Sequence, residues 1–282
     1  MAQLALTPGL GRRSLEGVTV EYRYWPGDPR RPLLVLLHEG LGCVALWRDF
    51  PAALAATTGC GVFAYSRVGY GGSSPCALPR PLSYMEDEAQ GFLPKLLAQL
   101  PAGALVPIGH SDGGSIAAVN AAAVPDVRLH GMVLIAPHFF TEPEGLASIA
   151  AVRRSYREGD LRRRLARYHG GNVDCAFYGW ADSWLHPDFK QWNLTPFLPQ
   201  IAVPTLLIQG ADDAYGTAAQ LQTAERLIPA PVRSHLLAAC GHSPHREQPE
   251  ALCALIAAFI RRLRSSAGGA AAAAGRGCLQ RQ

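Results

Sequence analysis

The pentapeptide Gly109-His110-Ser111-Asp112-Gly113 reads G-x-S-x-G and separates an apolar run, Leu105 to Ile108, from a small-residue stretch that continues to Ala123. A serine on a sharp strand-to-helix turn needs a strained backbone, and flanking glycines remove the Cβ clashes that would forbid it. Such a turn pushes the hydroxyl out over the sheet and puts the next backbone N–H, that of Asp112, at a helix N-terminus where it can hold an oxyanion. The chemistry this predicts is nucleophilic attack by Ser111.

A serine hydroxyl attacks poorly unless a histidine takes its proton and a carboxylate fixes that histidine's tautomer. Gly210-Ala211-Asp212-Asp213 follows the apolar run Thr205 to Gln209, and Gly241-His242-Ser243 follows Ser234 to Leu237. Both runs read as strands, so the acid and the histidine sit on loops beyond strand C-termini, in the order Ser, Asp, His. His245 is the rival histidine, at the start of the last helix. His110 reads as structural, and the Asp112 side chain is expected to face a pocket or cap the helix.

Short apolar runs recur: Val18 to Tyr24, Leu33 to Leu37, Val62 to Tyr65, Leu105 to Gly109, Met132 to Ala136, Thr205 to Gln209 and Ser234 to Leu237. Continuous apolar strands imply burial on both faces. Helical patterns fill the gaps at Trp47–Thr57, Gly113–Ala123, Thr217–Leu227 and Pro249–Arg262. Ser83 and Glu86 have capping-box spacing and open a further helix to about Leu100, which Pro94 is expected to interrupt. The rhythm predicts an α/β fold with a mostly parallel central sheet flanked by helices, whose functional loops share one edge.

The ordered triad, the turn before the acid and the segment Gly241-His242-Ser243-Pro244-His245-Arg246-Glu247-Gln248-Pro249-Glu250 resemble the α/β-hydrolase superfamily, whose histidine typically stands in G-H-x-x-x-x-E-x-P-E. The resemblance covers most of the chain outside residues 138–199 and the tail. It implies Ser111, Asp213 and His242 as the triad, with Asp212 as the fallback acid, because the family's acid ends a G-x-x-D turn. It also implies a second oxyanion donor from Gly40 or Leu41, although His38-Glu39-Gly40-Leu41-Gly42 departs from the family's H-G-x pattern by Glu39, for which a salt bridge to an arginine is expected. Val68 to Ser73 is similar to the family's G-x-G-x-S turn, with Ser66 where an aspartate is usual.

Gly40-Leu41-Gly42-Cys43-Val44-Ala45 also fits a dinucleotide fingerprint, G-x-G-x-x-A, with Arg67 after the next strand as a partner for a 2′-phosphate. That reading leaves Ser111, Asp213 and His242 without a role. No phosphate loop is present, and the chain carries no metal motif beyond isolated possible ligands. No metal and no cofactor are expected.

Eleven of the 23 aromatic residues fall between His138 and Pro199, an excess that marks an insertion with its own purpose. The organisation expected is a core of residues 1–137 and 200–264, a helical cap over 138–199 with helices at Ala151–Arg157 and Asp160–His169, and an Ala/Gly-rich tail, 265–282, without order. Phe139, Trp180 and Trp184 are the aromatics expected to wall a substrate pocket over Ser111. Seven arginines between Arg153 and Arg167 read as a solvated face, or as a site for a carboxylate or an acyl-coenzyme A phosphate.

With 49 % hydrophobic and 17 % charged residues and a net charge of +4, the chain is neither disordered nor a nucleic-acid binder. It shows no signal-peptide pattern at its start and no membrane span. The scattered cysteines (Cys43, Cys60, Cys76, Cys175, Cys240, Cys253 and Cys278) read as reduced thiols of a cytoplasmic protein. The function expected is hydrolysis of a small or medium, partly apolar carboxylic ester. A thioesterase or carbon–carbon bond hydrolase on the same triad, or a non-catalytic ligand receptor, is the alternative; the partner is a small molecule, and the sequence does not give the oligomeric state.

Overall fold

The structure, a computed structural model, describes residues 6–101 and 103–277, with side chains described as far as residue 263. In chain order the elements are β1 (Gly9–Leu15), β2 (Val18–Trp25), β3 (Leu33–Leu37), α1 (Phe50–Thr58), β4 (Val62–Tyr65), α2 (Tyr84–Asp87), α3 (Leu93–Gln99), β5 (Leu105–His110), α4 (Asp112–Ala123), β6 (Met132–Ile135), α5 (Pro143–Glu158), α6 (Leu161–His169), α7 (Val173–Trp184), β7 (Thr205–Gly210), α8 (Ala218–Leu227), β8 (Val232–Leu237), α9 (Pro244–Glu247) and α10 (Pro249–Gly277). The strands form one eight-stranded sheet in the order β1-β2-β4-β3-β5-β6-β7-β8. Among the described strands, the β1–β2 and β2–β4 pairs are antiparallel and every pairing from β4 to β8 is parallel. The expected α/β arrangement is the one the chain adopts.

Alternate side chains of one strand feed opposite faces, which is why the central strands are apolar throughout. Val35 and Leu37 join the core that α3, α4 and α8 cover, whereas Leu34 and Leu36 join the core under α1 and α10. Each of these leucines, fully removed from water, contributes roughly 1.5–3 kcal/mol. β1 gave no sequence signal because its residues Gly9 to Leu15 lack β-branched side chains and alternate between exposed and half-buried on the sheet edge. A two-residue hairpin joins it to β2, with Glu16 and Gly17 both at positive φ.

The helix after Ser83 is interrupted just ahead of Pro94, as expected, by a π turn over Glu88–Phe92 in which the Leu93 N–H donates to the Glu88 carbonyl. Pro94, one residue further on, has no N–H with which to continue the α ladder. The capping box does not form, because the Ser83 hydroxyl donates to the Asp87 carboxylate (2.9 Å) and makes no side-chain cap.

Between β6 and β7 the chain runs through α5, α6, α7 and three short 3₁₀ turns. Its aromatics stack on one another, Tyr156 with Phe177 at 3.5 Å between ring centres and Phe189 with Trp192 at 5.1 Å. Its arginines meet acids near the surface: Arg153 with Asp182, Arg162 with Asp174, and Arg163 and Arg164 with Asp160. α10 is described as far as Gly277; residues 278–282, with Cys278, lie outside the described residues. Among the described residues, no helix is long and apolar enough to cross a membrane.

The tightest backbone packing lies where β5 turns into α4. A Cβ on Gly113 would fall inside the Leu37 carbonyl group of β3, and one on Gly109 inside the carbonyl of Gly113. Neither obstacle is a side chain that can swing away. Gly113→Ala is therefore expected to cost on the order of 3 kcal/mol, read as a lower urea midpoint. Gly91→Ala, with nothing within 4 Å of the added carbon, should leave the midpoint unchanged or raise it slightly. Equal midpoints for Gly113→Ala and the natural chain would contradict this packing.

Candidate active site

Ser111 is the N-cap of α4, with φ 53° and ψ −122°. A non-glycine residue held there stores on the order of 1–3 kcal/mol, and such strain collects at functional sites. Its N–H donates to the Ile135 carbonyl (2.9 Å), while its own carbonyl accepts from Gly114 and Ser115. The strained turn is thus pinned to β6 on one side and to α4 on the other.

His242, on the loop after β8, shares its Nδ1–H between the two carboxylate oxygens of Asp213, each 2.9 Å away. Asp213 Oδ1 also accepts from the Tyr215 N–H (2.8 Å), and Oδ2 from Gln209 Nε2 (3.3 Å). Burial by itself would raise the Asp213 carboxyl, but the His242 hydrogen bond and charge bring it below the usual carboxylate range. The neighbouring Asp212 is exposed, and its N–H is spent on the Cys240 carbonyl. With its Nδ1–H bonded in this way, the ring turns Nε2 away from Asp213.

Ser111 and His242 line the same cavity, of about 270 Å³. No hydrogen bond joins Ser111 Oγ to His242, an arrangement usual before substrate closes such a site. Gly40 and Leu41 line the cavity as well. Among the described residues, neither of their N–H groups has a backbone partner. The Asp112 N–H opens α4, ahead of the helix's own ladder. Trp180 lies so close to Gly40 that a Cβ there would overlap its ring. Leu46, Ile149, Leu161, Leu165 and Trp184 complete the apolar wall, and Arg164 and Arg246 bring positive charge.

Of the aromatics expected at the pocket, Trp180 and Trp184 line it. Phe139 does not: it is fully buried in the core, and its N–H donates to Gln220 Oε1 (2.8 Å). The Asp112 side chain does not line the cavity of Ser111 and does not cap α4. It is buried, accepts from the Tyr84 hydroxyl (2.7 Å), and lies 4.0 Å from the Arg67 guanidinium. Trp184 Nε1 donates to the same hydroxyl (3.0 Å), so one hydrogen-bonded chain ties the turn at Ser111 to the cavity wall. Burial raises the Asp112 carboxyl despite Arg67.

Glu39 pairs with no arginine side chain. Its carboxylate faces His110 Nδ1 at 3.5 Å, and that pairing holds it well below the usual range against the burial that would raise it. His110 Nε2–H donates to the His242 carbonyl (2.7 Å), so His110 braces the loop that carries His242. Arg67 is buried, with its guanidinium turned to the carbonyls of His38 and Glu39, and is not presented to a nucleotide phosphate at the surface. Ser66 fills its place with a hydrogen bond to Glu21 Oε2 (2.7 Å) and another from the Val44 N–H (2.9 Å). His245 is buried against Trp47 and borders a separate surface cleft of about 830 Å³ that does not include Ser111.

Sequence reasoning missed His138 and Tyr215. His138 follows β6, lines the cavity, and sits 5.7 Å from the His242 ring; burial, reinforced by His242, pulls it down to about 3, so it stays neutral. Its place beyond a strand C-terminus was the available signal. Tyr215 packs its ring 4.6 Å from that of His242.

A sequence profile described as the alpha/beta hydrolase family matches residues 34–255, and the chain belongs to that family. It is a hydrolase. A curated relative, epoxide hydrolase 3 of Xenopus tropicalis, is 26 % identical over 272 residues, covering 83 % of this chain and 73 % of the relative. Among solved structures, the chain is similar to proline iminopeptidase of Mycobacterium smegmatis (20 % identity, TM-score 0.71, covering 92 % of this chain and 100 % of that one). It is also similar to the esterase RhEst1 of Rhodococcus sp. ECU1013 (23 % identity, TM-score 0.68, covering 90 % and 99 %). At these identities the structural likeness speaks for the fold.

The lowered Asp213 carboxyl ties stability to acid. A group whose folded value lies below its unfolded one contributes stability above the unfolded value, near 4 for aspartate, and loses it as pH falls through the folded value. The unfolding free energies of the natural chain and Asp213→Asn should therefore differ at pH 7 and converge progressively below pH about 4. A difference that does not change with pH would contradict the ionised pair.

Proposed function

We propose that the chain hydrolyses small or medium carboxylic esters with an apolar acyl or aromatic part, using Ser111, His242 and Asp213. The observation that carries this reading is the His242–Asp213 pair at 2.9 Å, on the wall of the cavity that also receives Ser111 at its strained turn. In the reaction, His242 Nε2 takes the Ser111 proton as Oγ attacks the ester carbonyl. The resulting oxyanion is held by the Asp112 N–H together with that of Gly40 or Leu41. His242 then protonates the departing alcohol, and water repeats the sequence on the acyl-enzyme.

The apolar wall of Leu41, Leu46, Ile149, Leu161, Leu165, Trp180 and Trp184 suits the acyl or aromatic part. We take residues 138–199 as a cap, because α5, α6 and α7 supply Ile149, Leu161, Leu165, Trp180 and Trp184 to that wall, and 1–137 with 200–264 as the core. The name of the frog relative raises epoxide opening, but an alcohol that opened an epoxide would become an ether, which a histidine-activated water does not cleave. Ser111 therefore favours acyl transfer. A thioester would pass through the same acyl-enzyme. We read the protein as cytoplasmic, consistent with its free thiols.

A panel of p-nitrophenyl esters and acyl thioesters tests this reading. Hydrolysis should fall by at least about 10³-fold in Ser111→Ala, with an unchanged circular dichroism spectrum. Undiminished turnover of that variant, or no turnover of any ester by the natural chain, would overturn the assignment.

A further inference from the structure

Cys76, on the loop after β4, and Cys175, in the first turn of α7, stand 99 residues apart in the chain, yet their sulfurs are 2.8 Å apart. Both are free thiols. Cys175 Sγ accepts from the Cys76 N–H at 3.4 Å, and Arg80 Nε donates to Cys76 Sγ at 3.2 Å. Arg80 is itself held in place by the Tyr70 hydroxyl (2.7 Å) and the Val68 carbonyl (3.4 Å). The Cys76 N–H and the Arg80 guanidinium favour negative charge on the sulfur pair, whereas the Cys76 carbonyl, 3.3 Å from Cys175 Sγ, accepts from its S–H. The Cys76 hydrogen bond, with Arg80 nearby, brings the Cys175 thiol down to about 6, whereas Cys76 moves up. Burial pushes Cys43 up to about 12 and Cys240 up to about 11, so neither has comparable thiolate character.

We propose that Cys76 and Cys175 form a reversible oxidation site, at which a hydroperoxide closes a disulfide that staples α7 to the loop after β4. The Cys175 thiolate attacks a peroxide oxygen; the O–O bond breaks, and Cys175 becomes a sulfenic acid. The Cys76 sulfur then attacks the Cys175 sulfur, the S–S bond forms, and the S–O bond breaks. With the protons from both thiols, two thiols and one hydrogen peroxide give one disulfide and two waters. The sulfurs lose two electrons and the peroxide gains them; a dithiol reductant reverses the step. Cys175 is buried and Cys76, whose sulfur is 2.8 Å away, is half-buried, so the oxidant reaches Cys175 from the Cys76 side. Because α7 also carries Trp180 and Trp184, the staple fixes one end of the helix that walls the cavity. The inference does not depend on the ester reading.

The test treats the purified full-length chain with a few equivalents of hydrogen peroxide, alkylates the remaining thiols, and maps the unreduced digest by mass spectrometry. A peptide pair joined through Cys76 and Cys175 should be the main product and should disappear with dithiothreitol. The oxidised chain should melt several degrees higher than the reduced one, because a long loop is closed in the unfolded state. Cys175→Ser should show neither the crosslink nor the peroxide-dependent rise. Alkylation of both residues after peroxide, a sulfinic acid without crosslink, or a disulfide through another cysteine would overturn the proposal.

Discussion

A serine backbone at φ 53° persists only where its surroundings over-determine it, and here the overlap of three backbones does so. β3, β5 and the start of α4 approach so closely that Gly109 and Gly113 have no room for a Cβ. The hydrogen bond from the Ser111 N–H to Ile135 then fixes the remaining freedom. This is rigidity taken from the centre of a parallel sheet and delivered to one hydroxyl. The remainder of the site depends on it, because the hydroxyl, the open N–H of Asp112 and the cavity floor are all set by that one turn.

The charges around the turn are arranged so that few stand unpaired. Asp213 holds His242; Glu39 faces His110, which in turn holds the His242 carbonyl; Asp112 shares the Tyr84 hydroxyl with Trp184. Each buried carboxylate would be costly alone. Together they link the loops after β3, β5, β7 and β8, whose order in the sheet brings distant residues to one edge. His138, kept neutral by burial, adds a polar wall without adding charge.

Much of this was legible in the sequence, and the reasons for the remainder are physical. β3 and β4 have the bounds their apolar runs imply, because strands buried on both faces must be apolar at every position. β1, an edge strand, carries no such demand and was invisible. Ser111, the Asp212-Asp213 turn and His242 stood out because strained turns and strand-end loops have local signatures, and the family resemblance chose Asp213 over Asp212. Phe139 could not be told from a pocket residue, since an aromatic side chain looks the same whether it faces a cavity or the core. The partner of Glu39 and the role of Ser83 depend on which neighbours the tertiary fold places within reach, and spacing along one chain does not encode that. The meeting of Cys76 with Cys175 is of the same kind: it exists only after α7 has docked.

The central claim is that His242 makes the Ser111 hydroxyl nucleophilic. A fluorophosphonate reagent tests it most directly, with the adduct located by peptide mass mapping in the natural chain and in His242→Ala. The account predicts one adduct, on Ser111, formed rapidly in the natural chain and at least about 10³-fold more slowly in the variant. An adduct on another residue, or equal labelling rates in the two chains, would contradict it.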